Sequence, residues 1–145
     1  MVFAFFQRRR LQKVFSNSAE VMLRMQFIVA QQEPANHADD PWVLGYLYGA
    51  STAILDRMGV EPSPEAYKIL ESGYDAVFAS RAGRRVLDVS MDMRQDPDFA
   101  EGQAIGGAEQ YGLKPDGPMA FALGTYLGDN KTAEIRQRLR TRFLK

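Results

Sequence analysis

The sequence predicts an all-α fold, a single bundle of about six helices around a buried central helix near residues 41–58. Three observations carry the prediction. Apolar residues recur at helical spacing along most of the chain. Aspartate-proline and serine-proline pairs stand where helices begin, and glycines stand where they end. The one stretch with strand-like alternation has no second strand to pair with. A lone strand leaves its backbone hydrogen bonds unmade.

Taken in order, Leu11, Val14, Phe15, Met22, Met25 and Val29 mark a first apolar stripe with a period near 3.6. Asn17 followed by Glu20 has the form of a capping box. The stretch therefore reads as one long helix or as two joined at Ser16-Asn17-Ser18. Pro34 and the Asn36-His37-Ala38-Asp39-Asp40 run form a loop. Asp40-Pro41 then supplies an N-cap and a first helical residue, and Gly59, followed by Pro62 and Pro64, ends the central helix. Ser63-Pro64-Glu65 opens the next, whose stripe is Tyr67, Leu70, Tyr74, Val77 and Phe78. The run around Gly83 kinks or breaks it.

Residues 86–93 alternate apolar and polar, but Val86, Val89 and Met93 also share a helix face, and helix is the expectation. Asp96-Pro97 opens another helix that Gly112 closes. Pro118 to Leu127 is expected to form a short helix stopped by Gly128. A last helix carries Ile135, Leu139 and Phe143 at four-residue steps, with arginines around them.

The central helix carries glycine at positions 45 and 49, each costing roughly 1 kcal/mol against alanine. Residues four apart share a helix face. Gly45, Gly49 and Ala53 thus make a nearly bare strip, which lets a neighbouring backbone approach and gain dispersion contact. Gly102 and Gly106 repeat the spacing behind a second Asp-Pro, at an offset of about 56 residues. The recurrence suggests a pseudo-repeat, 15–80 and 81–145, within the single domain.

Chemistry-bearing residues are few. The chain of 145 residues has no cysteine, which removes thiolate metal sites and cysteine nucleophiles, and no cofactor is expected. His37 is the sole histidine; beside Asp39 and Asp40 it reads as a solvated loop residue rather than a metal ligand. No phosphate-binding loop, dinucleotide fingerprint or nucleophile elbow is present. Asp88, Asp92 and Asp96, spaced four apart, form an acidic ladder of the kind that could hold magnesium for a phosphorylated substrate.

Net charge is zero but unevenly spread: +3 over residues 1–33, −8 over 34–130 and +5 over 131–145. Basic ends around an acidic centre attract either that centre itself or an outside polyanion. The first residues place Phe3, Phe5 and Phe6 before Arg8, Arg9 and Arg10, the reverse of a secretory signal. The longest uncharged run in the first half, Pro41–Leu55, has 15 residues, where a membrane span takes about 20.

These features point to a cytoplasmic, non-enzymatic interaction or assembly module whose partner is another protein or a second copy. Phe3, Phe6, Arg8, Arg9, Arg10, Arg136 and Arg140 are the candidate contact residues. One alternative is a magnesium-dependent enzyme using the ladder of Asp88, Asp92 and Asp96. Another is association of the basic terminal helices with nucleic acid or an anionic membrane surface.

Overall fold

The chain folds as an all-α bundle, seen in a computed structural model that describes residues 2–79, 81–114 and 119–144, without the side chains of residues 2–5. No strand occurs among the described residues. The first rod is continuous: α1 (Val2–Ala19) runs through a π-helical turn (Glu20–Arg24) into α2 (Met25–Val29). The Asn17–Glu20 capping box does not form, because the helix never stops there; Glu20 pairs instead with Arg24 at 2.8 Å.

The π turn also revises the expected apolar stripe. The rod buries Phe15, Ala19, Leu23 and Phe27, whereas Val14, Met25 and Val29 face outward. Four-residue steps overshoot an α-helical turn by about 40° each. The wider π turn, with its i→i+5 bonding, takes back part of that excess. It holds Leu23 and Phe27 in register with Phe15 and turns Met25 and Val29 away from the core.

After a 3₁₀ turn (Pro34–His37) come α3 (Pro41–Arg57) and α4 (Pro64–Phe78). Asp40 caps α3 by accepting from Val43 N at 3.1 Å, and Ser63 caps α4 by accepting from Ala66 N at 3.1 Å. Gly59 follows α3 with φ of 79°, a left-handed conformation that glycine adopts without strain. Gly73 opens a notch in α4 for the Phe15 ring; a Cβ there would lie 2.8 Å from Phe15 Cδ2.

Helix α4 ends at Phe78, and α5 (Gly83–Asp92) begins with Gly83 N donating to Asp75 Oδ1 at 2.7 Å. The ambiguous stretch is thus helical as far as Asp92, burying Val86 and Leu87. Asp96 caps α6 (Pro97–Gly112) through Asp98 N at 2.8 Å. α7 spans Ala122–Gly128 and α8 Ala133–Phe143, with Thr132 as the cap of α8. The short helix starts later than its sequence suggests. Glu109 accepts from the Phe121 and Ala122 amides and so fixes its first turn; Pro118 lies outside the described residues.

At the centre α3 and α6 run side by side and parallel. A Cβ on Gly45 or Gly49 would sit 2.8 Å from the carbonyl carbon of Phe99 or Gln103. A Cβ on Gly102 would sit 2.8 Å from Tyr46 N, and one on Gly106 would sit 3.0 Å from Ala50 N. The contact is reciprocal. Gly45 meets the Phe99 carbonyl as Gly102 meets that of Trp42, and Gly49 meets the Gln103 carbonyl as Gly106 meets that of Tyr46. The seam therefore reads the same from either helix. Ala53 continues the bare strip and is buried. Trp42 closes one end, its ring stacked on Tyr126 with centroids 4.0 Å apart.

Candidate functional site

Three buried polar side chains, Gln26, Tyr46 and Glu109, converge inside the bundle. Gln26 lies just after the π turn and points inward. Its amide nitrogen donates to Met22 O at 2.8 Å and to the Tyr46 hydroxyl at 3.0 Å, and its oxygen accepts from Gly124 N at 3.0 Å. Tyr46 in turn donates to Glu109 Oε1. Glu109 Oε2 accepts from Phe121 N at 2.9 Å and Ala122 N at 3.0 Å. Burial, and then the negative charge of Glu109, push the Tyr46 phenol well above its ordinary value. It stays a hydrogen-bond donor. Gln26, Tyr46 and Glu109 are all buried, and their polar atoms bind one another and the backbone. This arrangement joins the first rod, α3, α6 and α7. It presents no group to a substrate.

The aspartate ladder does not converge. Asp88 accepts from the Tyr67 hydroxyl at 3.2 Å and stands 3.8 Å from Arg84. Asp92 is exposed at the end of α5, and Asp96 is occupied as the cap of α6. Among the described residues no group of three or more His, Asp or Glu side chains could hold a metal ion. His37, expected in solvent, is only 7 % exposed, lies against Phe27 and makes a 3.1 Å hydrogen bond with Gln32 Oε1. Asp40 beside it is held by Lys131 at 2.7 Å.

The basic ends meet the acidic middle of the same chain. Arg136 donates to Glu101 and, at 2.8 Å, to Asp98, and Arg140 donates to the other oxygen of Glu101. Ile135 and Leu139 of the same helix are buried. Arg8 pairs with Glu65 at 2.9 Å. A shallow cleft of about 450 Å³ beside that pair is lined by Arg8, Tyr67, Lys68, Glu71 and Arg84, with acidic and basic groups interleaved. Of the other predicted contact residues, Arg9 and Arg10 are exposed, Phe6 is 63 % exposed, and the Phe3 side chain lies outside the described residues.

The surface feature that sequence reading missed lies on the first rod. Val21, Met25, Ile28 and Val29 are 48, 43, 51 and 76 % exposed. They fall at i, i+4, i+7 and i+8 and form one outward apolar face behind buried Leu23 and Phe27. The signal was present in the spacing, but without the π turn Met25 and Val29 read as core. No helix among the described residues is long and apolar enough to cross a membrane. Comparison with protein families, curated proteins and solved structures finds no match to this chain.

Proposed function

We propose that this protein is a non-enzymatic helical interaction module of the cytoplasm, assembling with another protein or with a second copy of itself. The observation that carries the reading is the apolar face of Val21, Met25, Ile28 and Val29 on a rod otherwise well anchored in the core. Contiguous exposed apolar surface of this kind marks contact sites. The internal pairing of Arg136, Arg140 and Lys131 with Glu101, Asp98 and Asp40 withdraws those cations as contact residues and counts against the polyanion alternative, since it commits them to holding the bundle together.

A thermal-shift titration with magnesium, manganese and nucleotides tests the non-enzymatic part. The expected result is an unchanged melting temperature at millimolar metal. Stabilisation by metal that disappears in Asp92→Asn would overturn the reading in favour of ladder-based chemistry.

A further inference from the structure

We infer that the outer face of the first rod docks a second copy of the chain, antiparallel, about a twofold axis beside Val21–Met25; this rests on the assembly role proposed above. The apolar centre is flanked by charges of opposite sign. Arg10 and Lys13 are exposed on the rod before the strip, and Glu33 is exposed just past the rod's end, beyond the turn at Gln31. Among the described residues none of the three takes part in an ion pair.

In an antiparallel pair the basic end of each rod faces Glu33 of the second copy, and the match occurs twice by symmetry. A parallel pair would set like charges together. An isologous contact needs a patch that complements itself, and this one does. Glu20 and Arg24, beside the strip, already neutralise each other at 2.8 Å and put no uncompensated charge near the axis.

The strip from Val21 to Val29 is about 12 Å long at 1.5 Å per residue, within a rod of about 40 Å. An apolar centre with charged ends is the anatomy of a specific interface. A centre this small fits a dimer that dissociates on dilution rather than an obligate one.

Sedimentation velocity from low micromolar to submillimolar concentration tests the inference. A dimer fraction that rises with concentration is expected, and Val21→Glu with Met25→Glu should leave only monomer. Those side chains are exposed, so circular dichroism and the melting temperature, taken at a dilution where the parent is itself monomeric, should stay as in the parent. Charge exchange tests orientation without touching the apolar residues: Lys13→Glu should weaken the dimer, and adding Glu33→Lys should restore it. A monomer at every concentration, a dimer indifferent to the double glutamate variant, or a failed charge exchange would overturn the inference. A monomer whose thermal-shift titration is flat sinks the dimer but leaves the interaction role standing, whereas metal-dependent stabilisation sinks that role itself.

Discussion

Tyr46 donates its phenolic hydrogen to Glu109, and through that bond α3 meets α6 at the point where α7 begins. Glu109 holds three donors on one buried carboxylate. Glu109→Ala strands all three and should cost about 3 kcal/mol or more, since each unsatisfied buried donor costs about 1–3 kcal/mol. Glu109→Gln keeps one acceptor oxygen and should cost less. Urea unfolding of the two variants gives the order. Equal and small losses would show that water takes over the role of the carboxylate.

The reciprocal glycine seam makes an inverted response to Gly→Ala. At an unobstructed helical position the change stabilises by roughly 1 kcal/mol. Gly49→Ala puts a methyl group against the Gln103 backbone and should destabilise, and Gly49→Leu should cost at least about 2 kcal/mol through overpacking. A methyl group added at Gly112, the last residue of α6, would meet nothing within 4 Å, so that position serves as the control. Melting temperatures of Gly49→Ala and Gly112→Ala should move in opposite directions; movement in the same direction would count against a closed seam.

His37 gives the fold a weakness towards acid. Burial, then the charge of Lys131, lower its pKa against smaller raising effects of Asp40 and Asp39. As pH falls through about 6.5 the unfolded chain gains a proton that the folded ring resists, so stability falls with pH until the folded ring also protonates. His37→Gln removes that contribution. The difference in melting temperature between parent and variant should shrink or reverse as pH is lowered from neutral, and should be level above the ordinary histidine range. A difference constant with pH would exclude the effect.

Glu101 anchors α8. Its side chain is 11 % exposed and serves both Arg136 and Arg140. Glu101→Ala should cost about 1.5–3 kcal/mol, the range for hydrogen bonds to charged groups. Arg140→Ala, at a side chain 41 % exposed, should cost under about 1 kcal/mol. Hydrogen exchange along α8 should accelerate in the first variant and change little in the second.

Local rules made much of this legible from sequence. Asp40, Ser63 and Asp96 announce their helices because a cap needs only the next two or three residues. Gly45 and Gly49 announce a close approach because their spacing fixes their common face. What stayed hidden depends on partners distant along the chain or on an irregular turn. Glu109 sits in a glycine-rich stretch that gives no hint of the Phe121 and Ala122 amides it will hold. His37 looks like a loop residue until Phe27 comes to lie beside it. A single π turn changes which side of the rod Met25 and Val29 occupy, and a period of 3.6 carries no sign of it.

The parallel course of α3 and α6 has a consequence for how the protein comes into being. No tight turn can link two parallel rods; the polypeptide must double back through α4 and α5 before the second can lie down beside the first. Joints between segments so remote in sequence form slowly, because loop entropy is spent before any contact is gained. A nascent chain that has left the ribosome only as far as Asp92 therefore carries α3 with its grooved flank bare, waiting for the mate that completes it.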